Sequence, residues 1–202
     1  MQRLVIASAL AALLTACASD MTGMPGGRMP AGTAAGTTPD AGRTVMVGGA
    51  PMYPTRDIVD NAVNSRDHTT LVAAVKAAGL VDTLKGPGPF TVFAPTNAAF
   101  AALPAGTVDG LLQPAAKPML VKVLTYHVVP GRIDAAALGR QIAAGNGRAT
   151  LATASGGTLV ATMRGPDIVL TDAKGGMARV TTADVYQSNG VIHVVDKVLL
   201  PN

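Results

Sequence analysis

Three histidines are the side chains of this sequence best suited to proton transfer or metal binding near neutral pH. They stand far apart, at His68, His127 and His193, and no two of them are spaced i, i+4. Zinc commonly takes three or four protein ligands, so a zinc site would need all three histidines or an added Asp. This spacing gives weak support to a metal site, and we predict no metal.

A Ser-His-Asp hydrolase is the second chemistry that the residue types allow. Its nucleophile commonly sits on a strained turn within a G-x-S-x-G motif. Ser155 and Ser188 lie in turns bounded by Gly or Asn, but neither matches that motif. Asp67 before His68 is typical of a helix start, where a carboxylate is favourable. Neither a dinucleotide-binding glycine motif nor a phosphate-loop lysine motif is present. We therefore predict no catalytic residue and no cofactor.

His193 lies in the apolar run GVIHVVDKVLL near the end of the chain. If this run is a strand, His193 shares one face with Val191 and Val195. An unpaired imidazole in a dry core would cost a few kcal/mol. The pattern therefore predicts a neutral, hydrogen-bonded histidine that fixes strand register.

Cys17 is the single cysteine, so the chain can form no internal disulfide and no multi-cysteine metal site. Arg3 and the apolar run Leu4–Leu14 have the composition and length of a signal peptide. The tetrapeptide Leu14-Thr15-Ala16-Cys17 resembles a bacterial lipobox, which implies cleavage before Cys17 and lipid on its sulfur. We predict a signal peptide over residues 1–16 and an exported, lipid-anchored protein of the cell envelope. An ordinary secretory signal with an incidental cysteine is the alternative.

Residues 17–51 are predicted to be a flexible tether, because Gly, Pro, Thr, Ala and Met dominate them without an apolar period. The alternative is that the segment Arg43–Val47 adds a strand to the folded part. Ala18 and Ser19 lack the Asp that resembles an inner-membrane retention signal in enteric bacteria. In a Gram-negative host this favours the outer membrane, facing the periplasm or the surface.

Composition excludes several partners. Aromatic residues make up 3% of the chain and Trp is absent. The formal charge is +4, and the Lys and Arg residues form no cluster in the sequence. Nucleic-acid binding commonly needs stacking aromatics and basic stripes, so we predict no nucleic-acid partner. All twelve acidic residues are Asp, which excludes a paired-Glu glycosidase site but not an Asp pair.

Residues 52–202 are predicted to form one α+β domain, with helices first and strands later. Thr55 is a candidate cap of the first helix, Asp67 or Thr69 of the second, and Gly79 can end the second helix. Pro118 to Leu124 is predicted to be a helix that runs into a strand, TYHVV. Glycine-rich turns at residues 155–157 and 174–176 indicate hairpins in a mostly antiparallel sheet or sandwich.

Three segments of this domain resemble the motifs of the fasciclin-like family. FTVFAPTNAAF (residues 90–100) is similar to the first box of such domains, NGVIHVVDKVLLP (189–201) to the second, and YHVVPGRI (126–133) to the stretch between them. The resemblance implies a wedge-shaped β-sandwich with helices packed beside it. It also implies a generally non-catalytic surface module used in adhesion and protein interaction.

By the family's pattern, polar residues of these segments meet near the core, as a structural network or an interaction site. The candidates are Thr96, Asn97, Tyr126, His127 and His193. The partner would be a surface protein or matrix component, and it need not be the receptor that animal members meet through their Tyr-His stretch. The alternative function is a carrier of a lipid or small ligand, with a groove between the helices and the sheet.

Overall fold

The computed structural model describes residues 43–104 and 106–202. The predicted signal peptide, Cys17 and most of the predicted tether lie outside the described residues. No helix among the described residues is both long enough and apolar enough to cross a bilayer.

The folded part begins earlier than predicted, with a hairpin of strands β1 (Val45–Val47) and β2 (Ala50–Met52). Gly48 and Gly49 make its turn with φ of 59° and 75°, a region in which a side chain is strained. Val47 and Met52 are buried. Residues 45–51, which the prediction places in the tether, therefore form part of a two-stranded hairpin, and β1 lies within the segment Arg43–Val47 named as the alternative strand. The glycine-rich composition concealed the short alternation of the hairpin.

Short helices follow the hairpin and alternate with the first strands of the main sheet. The first, α1, begins after Asp57, whose carboxylate accepts a hydrogen bond from the Asp60 amide at 2.7 Å. The predicted cap Thr55 is therefore wrong by two residues, because Asp57 is the residue next to the first helical turn. Gly79 ends α2 in the left-handed conformation, as predicted. The helices are α1 (Ile58–Ala62), α2 (Thr69–Ala78), α3 (Val81–Lys85), α4 (Asn97–Ala101), α5 (Thr107–Leu112), α6 (Lys117–Tyr126) and α7 (Ala135–Ala144).

The main sheet has seven strands in the order β4-β3-β9-β8-β7-β6-β5. Neighbours are antiparallel except β3 and β9, which are parallel. The edge strands approach each other, since the Ala154 amide beyond β5 donates to the Val128 carbonyl of β4 at 2.7 Å. The sheet is therefore nearly barrel-like, and the α+β class is confirmed. The strands are β3 (Phe90–Pro95), β4 (Val128–Pro130), β5 (Arg148–Ala152), β6 (Thr158–Arg164), β7 (Asp167–Thr171), β8 (Met177–Gln187) and β9 (Gly190–Val195).

Two predictions about these elements have clear outcomes. The glycine-rich turns join β5 to β6 and β7 to β8, so both hairpins are confirmed. The strand predicted at TYHVV is wrong in its first half, because Tyr126 is still helical and His127 is the C-terminal cap of α6. Both residues are buried and precede two valines, and a short buried run of this kind does not distinguish a helix end from a strand.

The first and second boxes lie side by side at the centre of the sheet. The register runs from Phe90 opposite Gly190 to Pro95 opposite Val195. A Cβ on Gly190 would fall on the Phe90 carbonyl oxygen, so this contact requires glycine. Residues 96–189 therefore form one long connection, and after it β9 returns to pair with β3.

Alternate residues of this strand pair face two apolar cores. We call the first the helix-side core, since it includes Val92 and Val194 together with Leu71, Val75, Leu120, Val123 and Leu124 of helices α2 and α6. We call the second the sheet-side core. It includes Phe93 and Val195 with Leu138 and Ile142 of α7 and Leu151, Leu159 and Leu170 of β5 to β7.

Candidate functional site

The five predicted polar residues lie at three separate places around the β3–β9 pair. Thr96 and Asn97 follow β3, Tyr126 and His127 end α6, and His193 is in the middle of β9. No hydrogen bond among the described residues joins any two of these side chains directly. Each place instead joins the central strands to a different neighbouring segment.

His193 is fully buried and uses both ring nitrogens. Its Nε2 lies 2.8 Å from the Ile133 carbonyl oxygen, and the Asp184 amide lies 3.4 Å from Nδ1. A carbonyl can only accept, so these partners assign the proton to Nε2 and leave Nδ1 to accept. The ring also stacks on Phe93, with centroids 5.6 Å apart. The geometry matches the predicted neutral, hydrogen-bonded state.

His127 is buried with the opposite tautomer. Its Nδ1 lies 2.8 Å from the Val123 carbonyl one turn back in α6, and Nε2 accepts the Leu199 amide at 3.0 Å. Burial lowers the pKa of His127 to about 4, and burial likewise lowers the pKa of His193. Both rings are therefore neutral at pH 7, and neither has a free lone pair for a substrate or metal.

Tyr126 attaches α6 to the far hairpins. Its hydroxyl donates to the Thr158 carbonyl at 2.6 Å and accepts the Ala173 amide at 3.0 Å. The ring lies against Gly157, where a Cβ would come within 2.6 Å of Cε2. Burial raises the pKa of this phenol, which keeps the group protonated. Tyr126 and His127 are thus neighbours in sequence that bind different segments.

Thr96 and Asn97 organise two helix starts. The Thr96 hydroxyl accepts the Ala99 amide at 3.3 Å and caps α4. The Asn97 carbonyl oxygen accepts the Thr70 amide at 3.0 Å, in the first turn of α2. The predicted local cap at Asp67 or Thr69 is therefore wrong for α2, whose amide is satisfied by a residue from the first box. The Asn97 amide also donates to the Arg66 carbonyl at 2.8 Å.

A polar group that the sequence did not reveal holds the loop between β4 and α7. The Thr91 hydroxyl donates to the Gly131 carbonyl at 2.7 Å and accepts the Ile133 amide at 2.9 Å. Asp184 accepts the Ala135 amide at 2.7 Å from a bulge of β8, with φ of 58°. A bulge of this kind aims a side chain away from the ladder. Its sequence signal, an Asp inside a β-rich run, is too weak to identify without the partner loop.

Asp172 is a further residue that sequence reasoning missed. Its carboxylate accepts the Lys174 and Gly176 amides at 2.9 and 2.7 Å, and the Leu200 amide at 2.9 Å. Together with His127, it fixes the backbone of the final segment of the second box. The Asp before a Gly-Gly turn is a usable signal for the turn, but nothing in the sequence indicates the third bond.

Asparagine side chains join the helical layer to the β8–β9 turn. Asn189 accepts the Ile58 amide at 3.1 Å and donates to the Leu84 carbonyl at 2.7 Å. Asn61 is fully buried, accepts the Tyr53 amide at 3.0 Å, and donates to the Gln187 side chain. The predicted turn at Ser188–Gly190 is therefore also an anchor for α1 and α3.

His68 has a simpler setting than the other two histidines. Its Nδ1 lies 2.8 Å from the Ser65 hydroxyl, while Nε2 has no hydrogen-bond partner among the described residues. Burial lowers its pKa. Within the described ranges, no group of three or more His, Cys, Asp or Glu side chains is arranged to hold a metal.

The helix-side core contains an apolar cavity of about 90 Å³ between α1, α2, α3, α6 and the strands β3 and β4. Its lining includes Val72, Val75, Leu84, Leu124 and Val128, with Lys76, Thr83 and Thr125 as the polar additions beside His127. Both nitrogens of His127 already have partners, so the ring offers none to water in the cavity. At roughly 24 cal/mol per Å³, an empty space of this size forgoes about 2 kcal/mol of stability.

Comparison with known proteins places this arrangement in a family. The sequence profile of the Fasciclin domain matches residues 66–201. Protein sll1483 of Synechocystis sp. is 52% identical over 144 residues, which cover 71% of this chain and 73% of the relative. The cell surface glycolipoprotein MPB83 of Mycobacterium bovis is 34% identical over 150 residues, covering 69% of this chain and 58% of that protein.

A solved structure supports the fold independently. The FAS1 domain pair of the insect cell adhesion molecule fasciclin I aligns with a TM-score of 0.52. The alignment covers 64% of this chain and 43% of the other, at 24% sequence identity. At this identity the similarity establishes the shared fold alone.

Proposed function

Because this chain belongs to the fasciclin domain family, we propose that it is a non-catalytic interaction module of the cell envelope. It binds a surface protein or matrix component, and lipid on Cys17 holds it at a membrane. The observation that carries this proposal is the internal use of His127 and His193, two of the three side chains best suited to chemistry. All four ring nitrogens of His127 and His193 have partners inside the fold.

The named relatives support the exported and surface parts of the proposal. MPB83 is named a cell surface glycolipoprotein, and fasciclin I is named a cell adhesion molecule. The lipobox-like tetrapeptide ending in Cys17 supports the same kind of anchoring here. Stable anchoring needs more than one acyl chain, which lipidation of an N-terminal cysteine supplies.

The exposed apolar side chains near the hairpin are a candidate contact surface. Met46 is 62% exposed and Val63 46% exposed. Tyr53 is 39% exposed, donates its backbone amide to Asn61 of α1, and has the Arg56 Cζ 5.0 Å from the centre of its ring. Exposed aromatic, Met and Arg side chains are enriched at protein interfaces. We name Met46, Tyr53 and Val63 the hairpin patch.

Two experiments test this function. Cys17→Ser should move the protein from the membrane fraction to the soluble envelope fraction, and full membrane retention would contradict the anchor. A Met46→Lys, Val63→Lys double variant should lose a partner captured from envelope extract by the wild-type chain. Met163→Lys is the matched control, since Met163 is 43% exposed on β6 and outside the patch. Equal loss by the control would remove the patch from the proposal.

A carrier of a lipid or small ligand is the second candidate function. The observation that favours it is the apolar cavity between the helices and the sheet. This site is internal and separate from the hairpin patch, so both activities can coexist in one chain.

A further inference from the structure

The cavity in the helix-side core has the chemistry of a hydrocarbon site. Its volume of about 90 Å³ exceeds the space that one water molecule needs. A water inside would require two to four polar partners, and the deep lining of Val, Leu, Ile and Phe side chains offers none. Such a space either stays dry or takes an apolar group, as dry engineered cavities do.

The polar groups of the lining are not spread evenly through it. Lys76 is exposed in the last turn of α2, and Thr83 on α3 is also exposed. Thr125 is half-buried and bonded to the Val121 carbonyl at 2.7 Å. The site therefore has an apolar interior and a polar rim, as expected for a ligand with a hydrocarbon chain and a polar head.

The charge at this rim is positive. Lys76 forms no ion pair with a carboxylate in the part of the chain that the structure describes. The Lys117 ammonium is close by, 3.7 Å from where a Cβ on Gly79 would be, at the same end of α2. Lys85 on α3 is already paired with Asp60 at 2.6 Å. Lys117 on α6 and Asp82 on α3 lie outside the lining, so the charge of the lining is that of Lys76.

We propose that this cavity binds the chain end of a diffusible anionic amphiphile, a medium-chain carboxylate, and that Lys76 binds its head group. A volume near 90 Å³ is smaller than the roughly 150 Å³ that admits benzene, so the cavity takes the last few carbons of the chain. The remaining methylenes and the carboxylate lie along the rim. This activity is independent of a surface partner and does not require the hairpin patch.

The test is calorimetric titration of the full chain, carrying Cys17→Ser so that no covalent lipid competes, with butanoate, hexanoate and octanoate. Each added methylene that enters the cavity should tighten Kd by about fourfold. The gain is limited to the few carbons that the cavity holds, so octanoate should bind on the order of tens of times more tightly than butanoate, with one site per chain. Absence of saturable octanoate binding, or equal affinity along the series, would overturn the proposal.

Two variants separate the apolar interior from the charged rim. Val72→Phe puts a ring into the cavity from a half-buried position and should weaken octanoate binding more than tenfold. Lys76→Gln should weaken octanoate by roughly two- to fivefold, as for an exposed ion pair, while octan-1-ol affinity stays the same. Lys174→Gln, on the exposed β7–β8 turn, is the matched charge control and should change neither affinity.

The same variants test whether the ligand binds at another site. Unchanged octanoate affinity in Val72→Phe would place the ligand elsewhere and overturn the assignment. Equal weakening by Lys76→Gln and Lys174→Gln would reduce the head-group contact to general charge attraction and remove Lys76 from the site. Octanoate binding by the Cys17→Ser chain but not by the lipidated wild-type chain would assign the cavity to the protein's own lipid, which contradicts a diffusible ligand.

Discussion

The two cores on either side of the β3–β9 pair are built from similar residues but packed differently. In the sheet-side core, Phe93, Leu138, Leu159 and Leu170 are each fully buried. In the helix-side core, the side chains of α1, α2, α3 and α6 leave a cavity of about 90 Å³. The strands that separate the cores are common to both, so the difference arises from what covers each face.

The two cores therefore differ in how firmly the surrounding elements are held and in whether they leave space for a ligand. The sheet-side core is closed by strands whose ladders fix every position, with the β4–α7 loop held by Thr91, His193 and Asp184. The helix-side core is closed by short helices joined by a few polar contacts, such as the bonds of Asn189. Short helices can shift more cheaply than paired strands, so the helical face is the one that can admit a ligand.

Truncating one leucine in each core gives the largest expected contrast. Leu159→Ala should lower the free energy of unfolding by about 4 kcal/mol, because the surrounding strands cannot collapse into the new space. Leu84→Ala, beside the existing cavity, should cost about 2.5 kcal/mol, because it has fewer contacts to lose. Urea denaturation of both variants measures the difference. Equal losses would mean that the two cores are packed alike.

Acid should weaken the protein through its buried histidines. His127 has an ordinary pKa near 6.5 when unfolded and about 4 when folded, so the unfolded chain binds the proton first. Its contribution to stability is present above pH 6.5 and is lost as pH falls from 6.5 toward 4, by about 3 kcal/mol. The pKa values of His193 and His68 are lowered in the same direction.

Urea midpoints between pH 7 and pH 4.5 measure this loss. His127→Leu is the comparison variant, since it removes one titrating ring and should flatten the curve in that range while the other two histidines keep some slope. A wild-type midpoint that stays constant over this range would contradict neutral, buried histidines.

Removing the His193 ring should cost about 1–3 kcal/mol, since it leaves the Ile133 carbonyl without its donor. Thermal melting of His193→Ala measures the loss, and octanoate affinity measured alongside should stay within twofold of the wild type after correction for the folded fraction. An unchanged melting temperature combined with lost partner binding would make His193 a recognition residue.

The smallest expected effect is a gain. Val72→Phe, which fills the cavity, should leave thermal stability unchanged or raise it by up to about 1 kcal/mol, while enlarging the side chain of Ala161 to Val should destabilise by about 1–3 kcal/mol. Ala161 is fully buried in the sheet-side core. Melting curves of Val72→Phe and Ala161→Val make the comparison, and a loss of similar size in both would show that the cavity is not free space.

The sequence allowed the class of fold and the central strands to be predicted, because their signals are local. The alternation around His193, the two glycine hairpins and the stop at Gly79 each depend on a few neighbouring residues. Polar contacts between residues that are far apart in the sequence could not be predicted in this way. Asn97 caps α2 from a separate segment, and Asp172 holds an amide 28 positions further along the chain, so neither partner could be identified by spacing.

The candidate site was predicted in part for the same reason. The five polar residues form three separate attachments rather than the one network that the family's pattern implied. The cavity depends on how four helices and two strands leave space between them, and no residue pattern encodes a volume. Residues such as Val72 and Val75 look the same in sequence whether the space beside them is full or empty.

The most direct test of the contrast between the two cores is a methyl NMR titration of the full chain with octanoate. The account predicts chemical-shift changes confined to methyl groups that line the cavity, such as those of Val72, Val75 and Leu84. The methyl groups of Leu159, Leu170 and Val195 in the sheet-side core should not move. Shifts spread through both cores, or shifts in neither, would contradict the account.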